Sequence, residues 1–261
     1  MTMQLALPTI QNISEILPFI LAGFFAQLID GALGMAYGVI SSTILVSVLG
    51  MPPTRASASV HLAELFTTAA SGISHILHKN VDWKLFARLA IPGVIGGVIG
   101  AYALSNIDAK IAKPFVMTYL AGVGIYLLYK ANGHDGKIAF KDAKVATPLG
   151  LIGGFLDAAG GGGWGPVVTS NLLIQGTEPR KIIGTVNTAE FFLTAAISAT
   201  FIFTIGLQSF SIAIIGLLIG GIAAAPFGAI LAKRIKPKTL LFLVGFVLTL
   251  TSLYSVYRAI F

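Results

Sequence analysis

Two stretches decide how this chain folds. They are Asp30-Gly31-Ala32-Leu33-Gly34-Met35-Ala36-Tyr37-Gly38 and Asp157-Ala158-Ala159-Gly160-Gly161-Gly162-Gly163-Trp164-Gly165. Asp30 aligns with Asp157, Gly34 with Gly161, Tyr37 with Trp164 and Gly38 with Gly165, all at an offset of 127 residues. After one deletion the offset becomes 126, pairing Gly50 with Gly176, Pro53 with Pro179, Val60 with Val186, His61 with Asn187 and Glu64 with Glu190. Farther on, Gly96-Gly97 corresponds to Gly220-Gly221, and Tyr126-x-x-Tyr129-Lys130 to Tyr254-x-x-Tyr257-Arg258. Four separate stretches in one order point to an internal duplication. Its expected boundaries are 1–130 and 145–261, joined by a polar linker at 131–144.

The composition says what surrounds these stretches. Of 261 residues, 56% are hydrophobic and 10% charged, with a mean hydropathy of +0.88; an ordinary soluble domain is about a quarter charged. Hydrophobicity excludes a disordered chain, and the absence of cysteine excludes disulfides, thiolate metal sites and a cysteine nucleophile. A polytopic all-α membrane protein is expected. The net charge of +7 does not indicate nucleic acid, because the basic residues lie in short gaps between apolar runs, as topology signals do. Residues 1–15 hold no Lys or Arg, so the first apolar run lacks the basic flank of a cleaved signal and is expected to stay in the mature protein.

Six apolar runs, 56–78, 84–104, 112–130, 181–206, 209–232 and 239–260, reach the ~20 residues that cross a bilayer. Four shorter ones, 16–29, 36–50, 145–158 and 164–175, form two pairs, each split by one of the glycine stretches. Each pair reads as two short helices meeting at a tip, either re-entrant or as two short crossings. Three full spans per half then remain, and an odd number inverts the second copy relative to the first. With the linker in the cytoplasm, inversion places 13 basic residues inside and 4 outside, whereas parallel repeats give 8 and 9. The expectation is therefore two inverted repeats in a bacterial inner membrane, with both termini outside. Three spans and a hairpin per half make a small bundle, compatible with a homodimer.

Non-helical backbone at membrane depth survives only when buried in protein or lining a cavity. A tip that leads into a new helix presents unpaired N–H groups and the positive end of a dipole, which suits a small anion. The candidate substrate-binding residues are Asp30, Gly31, Gly34, Tyr37, Gly38, Asp157, Gly160, Gly161, Gly162, Gly163 and Trp164, with His61, Asn187 and Thr188 beside them. Asp30 and Asp157 would cap the tips or bond tip amides; Tyr37 and Trp164 would gate the cavity or pack. Close helix packing is the competing role for the glycines.

In 56–78, Ser57, His61, Glu64, Thr68, Ser71 and His75 recur at steps of four and three, on one helix face. Asn187, Glu190, Thr194 and Ser198 repeat the stripe in the second half. Ionisable groups at this depth are costly and face a partner or a wet pathway, so Glu64 and Glu190 are coupling or gating candidates, or structural carboxyls. His61-x-x-Glu64 has metal-ligand spacing, but Asn187 replaces the histidine in the second copy; no metal and no cofactor is expected. Arg55, Arg180 and Lys181 follow the hairpins and would draw anions into two vestibules or anchor the topology.

At Asp30-Gly-x-x-Gly34, the glycine tip after Asp157, and Asn187-Thr-x-Glu190, the chain resembles the TauE/SafE family of sulfite and organosulfonate exporters. The repeated halves carry this resemblance over nearly the whole length. It implies a secondary transporter, typically outward, for small sulfur-containing anions such as sulfite or sulfoacetate. His61 departs from the asparagine of the second copy. No Walker-type loop is present, so coupling falls to protons, membrane potential or downhill flow. An anion channel using the same tips is the alternative. An enzyme fits poorly, since no nucleophilic or metal constellation repeats.

Overall fold

The computed structural model describes residues 13–33, 35–132, 145–169, 171–172, 179–207, 211–234 and 237–260. Among them only helices occur. The first half comprises α1 (Ile13–Leu33), α2 (Tyr37–Val48), α3 (Pro53–Leu77), α4 (Trp83–Asn106) and α5 (Ala109–Ala131). The second comprises α6 (Ala146–Gly160), the π-helical α7 (Trp164–Thr169), α8 (Pro179–Ile205), α9 (Ser211–Arg234) and α10 (Pro237–Ile260). Most of the expected linker lies outside the described residues.

Local chemistry sets the helix ends. Asp82 caps α4 by accepting from the N–H groups of Lys84 and Leu85, and Asp108 caps α5 through Lys110 N–H. Pro53 and Pro179 occupy the first turns of α3 and α8, where a missing N–H costs nothing. Gly161, at φ 75°, closes α6 in the left-handed conformation that glycine adopts freely.

Helices α4, α5 and the 181–205 part of α8 are long and apolar enough to cross a membrane. Large side chains such as Phe115, Tyr102, Phe203 and Ile222 point outward, while Ser57, His61, Glu64, Asp157 and Thr194 are buried. A water-soluble protein distributes these types the other way round. An apolar exterior with a polar interior is suited to lipid.

The packing is reciprocal between halves. Helix α1 packs on α9 and α6 on α4; α3 and α8 pack together, as do α5 and α10. Exchanging α1 with α6, α3 with α8, α4 with α9 and α5 with α10 leaves this pattern unchanged. Glycines permit the close approaches: Gly96 lies against the Leu151 carbonyl and Gly220 against that of Ile20. A Cβ at either position would collide with backbone.

Two expectations need correction. The first arm is not a short run ending at residue 29, since α1 continues to Leu33. Its 21 residues give about 31 Å at 1.5 Å per residue, enough to cross a bilayer. The breaks are also narrower than the glycine stretches, because Asp30 and Asp157 both lie inside helices, in the closing turns of α1 and α6.

Candidate functional site: a cavity between the two helix breaks

The two breaks meet inside the bundle. A Cβ at Gly38 would lie 2.9 Å from Gly162 Cα, and one at Gly162 would strike the Gly38 backbone. This approach requires glycine, and Gly162 also has φ 135°. Beside the junction lies a cavity of about 280 Å³. At about 30 Å³ per water it has room for on the order of nine water molecules, or a small solute and fewer waters.

Each break is organised by its aspartate. Tyr37 N–H donates to Asp30 Oδ1 at 3.2 Å, and Trp164 N–H to Asp157 Oδ1 at 2.8 Å. A carboxylate in the last turn of one helix thus receives the first N–H of the next, seven residues on. That contact turns the chain at both breaks, satisfying a donor that the helix start leaves unpaired.

Of the residues singled out in the sequence, the cavity wall contains Asp30, Tyr37, Gly38, Glu64, Asp157, Gly163, Asn187 and Glu190. Glu64 Oε1 sits 3.3 Å from where a Gly38 Cβ would be. Asn187 donates to Ser71 Oγ at 3.1 Å, so one edge of its amide is held against α3. Thr68 faces Thr194 at 3.4 Å across the same seam.

Other candidates stand back from the wall. His61 is fully buried behind it, with Nε2 3.0 Å from Asp157 Oδ2 and Nδ1 2.7 Å from the Ser57 carbonyl. Trp164 is also fully buried, packed against Gly93 with its indole N–H donating to the Val186 carbonyl at 3.3 Å. Thr188 is tied to Gly184 O within its own helix. Gly160 packs on the Tyr119 ring, and Gly161 and Gly162 form the junction rather than the wall. Gly31 lies within α1, while Gly34 falls outside the described residues. Arg55 and Lys181 are exposed and away from the cavity; Arg180 belongs to the first turn of α8, its side chain being outside the described part.

The sequence reading missed several contributors. Gln27, Met35, Ala36 and Thr67 line the wall, and Gln27 Oε1 is buried without a hydrogen-bond partner. Ser42, Ser57 and Tyr119 reach across from the first half to bond the carbonyls of Gly161, Ala158 and Gly162. Only packing brings these together; Ser42 and Gly161 are 119 residues apart.

The wall's electrostatics are one-sided. It contains four carboxyl groups, Asp30, Glu64, Asp157 and Glu190, and no lysine or arginine among the described residues. Hydroxyls, two amides and break backbone supply the rest. Four carboxylates facing one cavity repel one another. A carboxyl that holds a proton becomes a donor. No three acidic or histidine side chains among the described residues are arranged to hold a metal ion.

Comparison with known proteins identifies a family. Residues 19–255 match the family model described as Sulfite exporter TauE/SafE. The chain is similar to the probable membrane transporter protein YtnM of Bacillus subtilis (strain 168), at 43% identity over 238 residues covering 88% of this chain and 79% of that relative. It is also similar, at 21% identity over 267 residues, to the probable membrane transporter protein YunE of the same organism, covering 93% and 97%. No solved structure gives a significant match.

Proposed function

This chain belongs to the TauE/SafE family of sulfite exporters, and on that premise we propose that it carries a small sulfur-containing anion out of the cell, with the cargo held where its two helix breaks meet. It is a membrane transporter, not an enzyme. The cargo class is sulfite or an organosulfonate such as sulfoacetate. The two halves act as inverted repeats in a bacterial inner membrane, with the central linker cytoplasmic and both termini outside. Each half then contributes one glycine-tipped hairpin, and alternating access arises as the two rock about the cavity.

The observation that carries this reading is the polar cavity beside the junction of the two breaks, with matched aspartates and glutamates from both halves. Its donors toward an anion are break backbone, the hydroxyls of Tyr37 and Ser71, and the amides of Gln27 and Asn187, whereas the Thr67 and Thr68 hydroxyls donate to the Glu64 carbonyl. With no lysine or arginine among the described residues of the wall, an anion enters favourably only when wall carboxylates hold protons. Protons and cargo therefore travel together, which favours proton coupling over simple potential-driven flow. Glu64 and Glu190 are the groups proposed to carry them.

A thermal-shift panel of sulfite, sulfoacetate, other sulfonates and carboxylate analogues tests the cargo, since a ligand of the folded state stabilises it by mass action. Selective stabilisation by a sulfur oxyanion is expected. Equal response to carboxylates of matched size, or no response, overturns the cargo assignment. Counterflow in proteoliposomes separates a carrier from a channel: accumulation of labelled cargo against its own gradient supports a carrier, and its absence with large unitary currents supports a pore.

A further inference from the structure

One contact behind the cavity wall is unmatched in the other half. His61 Nδ1 lies 2.7 Å from the Ser57 carbonyl, which can only accept, so Nδ1 carries a hydrogen. Ser57 Oγ is 3.2 Å from the same nitrogen and donates to Ala158 O at 2.7 Å, leaving it an acceptor as well. Nε2 faces Asp157 Oδ2 at 3.0 Å. With Nδ1 already protonated, a lone pair on Nε2 opposite a carboxylate oxygen would be repulsive. A further proton must occupy the gap, on Nε2 or on Asp157, for the contact to exist.

We propose that His61 and Asp157 form a proton-binding site, loaded in the conformation seen, which discharges through the cavity and thereby frees the second helix break. His61 is fully buried, whereas Asp157 lines the cavity, so the carboxyl is the route by which the proton leaves to water or to a wall carboxylate. Loss of the proton removes the attraction across the gap, and Asp157 also holds the Trp164 N–H that begins α7. The same carboxyl thus joins proton occupancy to the geometry of the break. The second half lacks this device, because Asn187 replaces His61 and turns to Ser71.

The titratable neighbours come from every side. Glu64 lies one turn along α3, Glu190 on α8, Asp30 on α1, Tyr37 on α2 and Tyr119 on α5. The phenyl ring of Phe201 stands 6.4 Å from the imidazole. The cations of α4 and α9 (Lys84, Arg88, Lys233, Arg234) stand near helix ends. His61 is thus a basic side chain in direct hydrogen-bond contact with a wall carboxyl.

This inference concerns proton occupancy and stands apart from the identity of the cargo. The test is ¹⁵N NMR of His61 in a His75→Gln, His78→Gln, His134→Gln variant in lipid nanodiscs, without any cargo. If that variant is unstable, the step is sought among the four histidine signals of the unsubstituted protein. The expected result is a hydrogen on Nδ1 throughout, and one protonation step at Nε2 across the pH range in which the embedded protein stays folded. The step should disappear from that range in Asp157→Asn. A Trp83→Phe variant leaves Trp164 as the sole tryptophan; its fluorescence should change with the same midpoint and become flat in His61→Asn. An Nε2 signal that does not move over this range overturns the site. A titrating His61 with unresponsive Trp164 fluorescence overturns the coupling to the break.

Discussion

The two helix breaks begin alike and end differently. In each, an aspartate in the last turn of one helix accepts the first N–H of the next, and in each a glutamate from the following helix faces the cavity. The second break is then clasped from the opposite half: Ser42, Ser57 and Tyr119 bond three of its carbonyls, and His61 bonds its aspartate. The positions equivalent to Ser57 and His61 in the other half are Ile183 and Asn187, which do not reproduce the clasp. The first break instead contains Ala36, a non-glycine residue at φ 121°. The two halves share the capping geometry and the acids of the cavity wall. Among the described residues the second break is clasped from the opposite half, and the first carries a strained Ala36.

Removing the two aspartates should break this comparison most sharply. Asp157→Ala orphans the buried Trp164 N–H and removes the hydrogen-bond partner of His61 Nε2, two buried contacts at about 1–3 kcal/mol each. Asp30→Ala orphans only the Tyr37 N–H, costing about 1–3 kcal/mol. Thermal unfolding in one detergent should rank them in that order, and equal losses would remove the distinction. Gly162→Ala should follow: its φ and the Gly38 backbone both oppose a Cβ, and overpacking alone costs about 1–3 kcal/mol. Ala36→Gly should have the opposite sign, stabilising by up to about 1 kcal/mol as strain is relieved and offset by chain entropy. Tyr119→Phe should be the mildest, near 1 kcal/mol for one hydrogen bond to Gly162 O. A larger loss from Ala36→Gly than from Tyr119→Phe would contradict the view that the first break is the strained one.

The breaks were legible in the sequence because glycine after aspartate twice, at a fixed offset, has few structural explanations. The paired glutamates were legible for the same reason. The polar stripe of α3 was visible as a periodicity, and it buries against α8 through Thr68 and Thr194. That stripe also makes α3 less apolar than α4, α5 and the 181–205 part of α8. The extent of α1 was misread because Asp30 and Gly31 look like a helix stop, yet the carboxylate is satisfied by Tyr37 N–H beyond the helix end. The π-helical turns at Ile44–Val48 and Trp164–Thr169 depend on a shifted hydrogen-bond ladder that no residue pattern announces. His61 was seen, but its partner lies 96 residues away. Arg55, expected at a vestibule and not in the site itself, lies outside the cavity wall. Composition told which residue types were scarce in the membrane, and tertiary packing alone decided which of them meet.

The most direct measurement is the affinity of purified protein for sulfite and sulfoacetate as pH falls, compared with a Glu64→Gln, Glu190→Gln variant. If the anion binds among carboxyls that must first take up protons, linkage requires affinity to rise as pH decreases. The double glutamine variant, with amides standing in for protonated carboxyls, should keep binding and lose much of that dependence. Tight binding that is indifferent to pH in both proteins, or that weakens on acidification, would contradict a cargo site formed by the acids of the two breaks.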